Sequence, residues 1–203
     1  MTAILEHEVR STFESSVTGL HRHLFTRDEY YTMADAGLFR DKRVELIEGE
    51  IIEMAPIGDP HAAVTEPTYD ILREAFGAGF SIRNQAPIAI GPDYKPSDPQ
   101  PDVAVVVGTW RDYLSHKPGP DDIKLIVEVS DSSLKDDRTI KATLYASAGI
   151  VEYWIVNLVD SQLEVHRQPT ETGYASVTIY RTTETVEPLF APGKSVLVGN
   201  FIP

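Results

Sequence analysis

The 203-residue chain contains no cysteine. That excludes disulfides, thiolate metal sites and a cysteine nucleophile. No run of about 18 apolar residues occurs, so no helix is expected to span a bilayer. Positive charge is scarce: 18 Lys and Arg stand against 31 Asp and Glu, for a formal net charge of −13. Acids outnumber bases in every third of the chain, and no segment is basic. Non-specific duplex binding relies on clustered Lys and Arg that release counterions, so the composition argues against a DNA-coating protein. It does not argue against an enzyme that meets phosphates through a bound cation. Nucleotide-binding loops of the G-x-x-x-x-G-K or G-x-G-x-x-G type are missing, as is any H-E-x-x-H pair. Ser132-Ser133 lacks the context of a nucleophile elbow. The opening MTAILEHEVRSTFESS has neither the basic start nor the apolar stretch of a signal peptide. A cytoplasmic address and no membrane partner are the expectation.

What is present reads as one α/β domain over residues 25–203 preceded by an arm at 1–24. Thr26 and Glu29 form a capping box, with Phe25 and Tyr30 at the staple positions, which predicts a helix from Arg27 to Ala36 ended by Gly37. VELIEGEIIEM (44–54) reads as two strands turning at Glu48-Gly49. Asp59-Pro60 resembles a helix start, and the helical pattern runs to Phe76, with a kink or a new start expected near Thr65 because of Pro67. FSIRNQAPIAI (80–90) alternates like a strand. VAVVV (103–107), IKLIVEVS (123–130) and VEYWIVN (151–157) are apolar strands. A helix at 137–148 should place Ile140, Leu144 and Ala148 on one stripe. A hairpin, 162–166 with 174–180, and a last strand at 195–201 complete a mixed sheet with helices. Tyr153 and Trp154 fall on opposite faces of their strand, so they are not a paired base-stacking platform.

The strand IKLIVEVS carries a local conflict: it is apolar on both faces until Glu128. A buried carboxylate costs several kcal/mol unless it is paired or binds a cation. Read alone, Glu128 is equally a strand-end residue in an ion pair. Asp102, just before VAVVV, is alone an ordinary turn residue. Together, two carboxylates at the ends of adjacent core strands suit Mg²⁺ or Mn²⁺, which keep several waters. Such an ion polarises a phosphoryl oxygen and activates water. Lys141 is either a solvated helix lysine or a cation aimed at the same place, stabilising phosphate charge or orienting the attacking water.

Pro101-Asp102 and Glu128-Val129-Ser130 resemble the PD-(D/E)XK signature. The ordered set is wider: Arg43 to Ile51, His61, Gln100 to Val106, Leu125 to Ser130, Lys141 with Leu144-Tyr145, and Gly149 to Val156. Over about residues 25–190 it resembles the Uma family of restriction-endonuclease-fold nucleases. The resemblance implies a restriction-endonuclease-like fold, with a mixed β-sheet flanked by helices, and a Mg²⁺-dependent (or Mn²⁺-dependent) endonuclease that hydrolyses phosphodiester bonds in DNA. By it Asp102, Glu128 and Glu45 are metal ligands, and Lys141 replaces the signature lysine that Ser130 displaces. His61, Gln85 and Ser130 are additional site residues. DNA is expected to bind weakly without metal and with a shallow salt dependence. A homodimer is expected on grounds of symmetry for two-strand cutting. Two other classes stay open: an inactive nucleic-acid or protein interaction module on the same fold, and a phosphodiesterase with a non-nucleic substrate.

Overall fold

The computed structural model describes residues 21–202. The expected N-terminal arm lies, as far as residue 20, outside the described residues. Helix α1 (Arg27–Asp35) has the expected capping box, with Thr26 accepting from Glu29 N and the Glu29 carboxylate accepting from Thr26 N. Strands β1 (Val44–Ile47) and β2 (Glu50–Glu53) pair antiparallel across a two-residue turn. Glu48 and Gly49 both have positive φ, at 51° and 79°. Those angles belong to a type I′ turn. A Cβ at Gly49 would also stand 2.8 Å from Leu24 Cβ, so the turn needs glycine twice over.

Helix α2 (Asp59–Phe76) starts one residue from the expected place, with Gly58 rather than Asp59 at its N-cap. It runs unbroken through Pro67, which corrects the expected kink or restart. The carbonyl that loses its partner belongs to Ala63, which is exposed, so water can satisfy it. The main sheet has six strands: β3 (Phe80–Asn84), β4 (Val103–Val107), β5 (Ile123–Ser130), β6 (Glu152–Asn157), β7 (Gln162–Thr170) and β8 (Gly173–Arg181). They lie in chain order across the sheet, and all neighbours are antiparallel except β5 and β6. That parallel pair needs a crossover, and a helical run supplies it. The run comprises α3 (Leu134–Asp136), a π-helical turn (Asp137–Lys141) and α4 (Ala142–Ser147).

The expected strand 80–90 ends early, at Asn84, because Gln85 turns out of it with φ of 46°. The last expected strand shrinks to β10 (Val196–Leu197), paired with β9 (Thr185–Val186). Apolar residues fill both faces of the sheet. Val105, Val127, Trp154 and Val165 pack with Leu72 and Phe76 of α2 on one face. Ala104, Ile126, Tyr153 and Ile155 pack with Leu144 and Tyr145 of α4 on the other. Tyr153 and Trp154 are thus both core, one on each face. No helix among the described residues is long and apolar enough to cross a membrane.

A polar knot ties the crossover to the sheet. Arg138 of the π turn donates two hydrogen bonds to Glu164 on β7, and Asn157 and Gln162 donate to the same carboxylate. Burial raises the Glu164 carboxyl. The His166 ring at 3.8 Å, beyond hydrogen-bond length, and the three donor side chains outweigh burial and hold it well below the usual carboxylate range. A depressed folded pKa gives stability that is present above the unfolded value of about 4.3 and lost as pH falls below it. Melting curves from pH 7 to pH 3 should therefore show the margin of the parent over Glu164→Gln shrinking at the acid end. Glu164→Gln should be less stable at pH 7 by about 1–3 kcal/mol and flatter with pH. Parallel curves would refute this account of the knot.

Candidate active site

The register of the sheet builds the site. Val103 pairs with Val127, so the antiparallel ladder sets Asp102 beside Glu128 one step on. Each carboxylate grips the neighbouring strand: Asp102 N donates to Glu128 Oε2 at 3.2 Å, and Val129 N donates to Asp102 Oδ2 at 2.8 Å. The β1–β2 hairpin is tied to the loop that leads into β4, by Asp98 N donating to Leu46 O. Its Glu45 is buried and accepts from Gln100 N at 2.7 Å.

The π turn decides where Lys141 goes. A regular helix would set Ile140 on one core-facing stripe with Leu144 and Ala148. The widened turn shifts the register. Ile140 is instead 55% exposed, which corrects the expected stripe, and Lys141 is 7% exposed. Its ammonium lies 2.6 Å from Glu45 Oε2 and 3.5 Å from Glu128 Oε1. Tyr145, one turn on, donates to Glu128 Oε1 at 2.7 Å. Glu45, Asp102, Glu128 and Lys141, which sequence placed together, therefore line one cleft of about 190 Å³.

The three additional candidates divide. His61, in the first turn of α2, sets Nε2 2.9 Å from Asp102 Oδ2, with Thr65 Oγ1 3.4 Å from its Nδ1. Gln85 Nε2 donates to Asp102 Oδ1 at 3.2 Å. The left-handed backbone of Gln85 is a costly conformation for a non-glycine residue, and such strain clusters at functional sites. Ser130 touches none of the three carboxylates; its hydroxyl donates to Asp137 Oδ2 at 2.7 Å. Asp137 also lines the cleft and was missed from sequence, as was the bond from Tyr145. The spacing of Asp137 and Lys141, four residues apart, was the available signal.

The electrostatics are those of surplus negative charge. Burial pushes the Glu128 carboxyl well up; Lys141 opposes it, while Asp102, Asp137 and Glu45 add to it. Burial pulls the Lys141 ammonium down, but Glu128 and Glu45 outweigh it and raise it above the ordinary lysine value. Lys141 is therefore a charged donor at neutral pH and not a base.

The donor set suits a hard cation in kind, since it offers carboxylate oxygens and no soft ligand. A carboxylate has about four lone-pair sites, and hydrogen bonds use up only part of that capacity on Asp102 and Glu128. As the side chains stand, no three His, Asp or Glu groups among the described residues converge to hold a metal ion. Metal binding thus requires these groups to share or exchange hydrogen bonds they now make.

A mixed sheet with acids at the ends of two adjacent central strands, and a lysine delivered from the crossover helix, defines a restriction-endonuclease-like α/β fold. A putative nuclease of the DUF820 group from Anabaena variabilis, known from its crystal structure, has this fold: the two superpose with a TM-score of 0.66 at 15% identity, over 87% of this chain and 97% of that one. The chain belongs to the Uma2 family, described as "Putative restriction endonuclease", whose model matches residues 27–198. Membership supports a nuclease-type hydrolase function. No curated protein matches the chain.

Proposed function

We propose that the chain is a metal-dependent endonuclease acting on DNA, with Mg²⁺ or Mn²⁺ held by Asp102 and Glu128 and with Glu45 nearby. The observation that carries this reading is the meeting of Asp102, Glu128, Glu45 and Lys141 in one cleft, with the Lys141 ammonium 2.6 Å from Glu45 and 3.5 Å from Glu128. When bound, the ion supplies Lewis-acid polarisation of a phosphoryl oxygen and a more acidic water. The chain's own residues do the rest. Asp102 is aimed by Val129 N, His61 and Gln85. Glu128 is held by Asp102 N and Tyr145. Lys141 keeps its proton and orients a water or a phosphate oxygen by donating to it. Water oxygen then bonds to phosphorus and gives up a proton to solvent, the ester P–O bond breaks, and the departing oxygen takes a proton from solvent.

A panel of single-stranded, double-stranded and branched DNA, RNA and a nitrophenyl phosphodiester separates the readings. DNA cleavage with Mg²⁺ or Mn²⁺, absent in EDTA, is expected. Hydrolysis of the nitrophenyl ester alone would make the chain a phosphodiesterase of non-nucleic substrates. Inertness towards every member would leave an interaction module.

A further inference from the structure

A second cavity, of about 390 Å³, opens beside the carboxylate cleft. Ile57 lines both. Gln85 lines this cavity and donates to Asp102, which lines the cleft. Thr65 lines it too, and its hydroxyl donates to His61 O on the cleft side. The two spaces thus adjoin, with Ile57 and the Gln85–Asp102 and Thr65–His61 contacts between them.

Its chemistry differs from that of the cleft. Tyr69 of α2 contributes an aromatic ring, Asn84 and Gln85 at the end of β3 contribute amides, and Glu66 contributes a carboxylate. No lysine or arginine lines it. A phosphate would meet no cation here and one anion, so the cavity does not suit the backbone of a nucleic acid. It suits a base. Unpaired bases are recognised by stacking on aromatic rings and by hydrogen bonds to their edges. Amides supply both donors and acceptors for such an edge, and a carboxylate accepts from an exocyclic amine. The volume falls in the range of small-molecule sites, roughly 300–1,000 Å³. Asn84 is exposed, and among the described residues no hydrogen bond occupies its side chain, so its amide is free for a ligand.

We propose that this cavity holds an unpaired nucleobase of the substrate strand, next to the phosphate being cut, stacked on Tyr69 with its edge on Asn84. The inference rests on the nuclease reading and narrows it. The preferred substrate is single-stranded or locally unpaired, because a base inside a duplex must first leave the stack to enter such a pocket.

The test uses the full chain and a short single-stranded DNA carrying one 2-aminopurine. Binding to the parent in Ca²⁺, a hard cation that carboxylate oxygens hold, in place of Mg²⁺ should change the 2-aminopurine fluorescence. Tyr69→Leu, which keeps apolar volume against the core but removes the ring, should abolish that change and weaken binding about tenfold, within the usual range for one stacked base. Tyr69→Phe should retain both. Asn84→Ala, at an exposed strand end where folding is not at stake, should weaken binding severalfold. With an otherwise unsubstituted site, an unpaired substrate should be cut faster than a fully paired duplex, and Tyr69→Leu should erase that preference. Parent-like binding and cleavage by both Tyr69→Leu and Asn84→Ala would overturn the base site and leave the nuclease reading standing. Tyr69-dependent binding without any metal-dependent cleavage by the parent would keep the base site and overturn the nuclease reading. No binding of the oligonucleotide would overturn both.

Discussion

Glu128→Gln should lower metal-dependent cleavage by about a thousandfold or more while the protein melts no earlier than the parent at pH 7. The two halves of this result have one cause. Glu128 is buried beside Asp102, Asp137 and Glu45, and only Lys141 offsets them. Its folded pKa lies above its unfolded value. The ionised form is therefore disfavoured by folding, and stability falls as pH rises through the unfolded carboxylate range towards the folded value. Glutamine removes the charge and keeps the shape. Its carbonyl can accept from Asp102 N, its amino group can donate to the Tyr145 oxygen, and Lys141 keeps Glu45 as its counter-charge. Added Mg²⁺ should raise the melting temperature of the parent and leave that of Glu128→Gln unchanged. Melting curves at pH 4 and pH 7 check the linkage: the advantage of the variant should appear only at the higher pH. Cleavage at the parental rate would sink the assignment of Glu128.

Lys141→Met should have the opposite effect on stability, costing about 3–5 kcal/mol. The ammonium is the buried counter-charge to both Glu45 and Glu128, and methionine leaves them unpaired in the interior. For a chain of this length such a loss corresponds to a drop of roughly 10 °C in melting temperature. Combining Lys141→Met with Glu45→Gln should recover part of it, because the second change removes one of the stranded charges. Urea unfolding of the two single variants and the double variant forms the cycle that isolates the pair. Cleavage should be lost in all three variants that lack the lysine or its partner. A Lys141→Met protein as stable as the parent would mean that the ammonium is solvated and does not face the carboxylates.

These effects could be anticipated only in part from sequence. The strands VAVVV and IKLIVEVS were legible because apolar runs on both faces have one stable home, the middle of a sheet. Glu128 stood out because a carboxylate there is anomalous without a partner, and Asp102, alone an ordinary turn residue, gained meaning beside it. The capping box at Thr26 and the turn at Glu48-Gly49 were legible because caps and turns are set by neighbours in the chain. The helix through Pro67 misled because proline is judged by local rules, whereas the helix is kept by Val64, Thr68 and Leu72 packing beneath it. Ile140 misled in the same way: a period of 3.6 residues assumes a regular helix, and the π turn breaks that period.

Sequence by itself determined the strand framework and the two acids it carries, since burial patterns and short-range turns are written into adjacent residues. Only the tertiary structure decided the rest. It brought Lys141 to Glu45, 96 residues away along the chain, bent Gln85 out of its strand to reach Asp102, and set Tyr145 on Glu128. Those contacts depend on how the hairpin and the crossover helix pack on the sheet. Packing is fixed by the summed fit of many side chains and not by the period of any one segment.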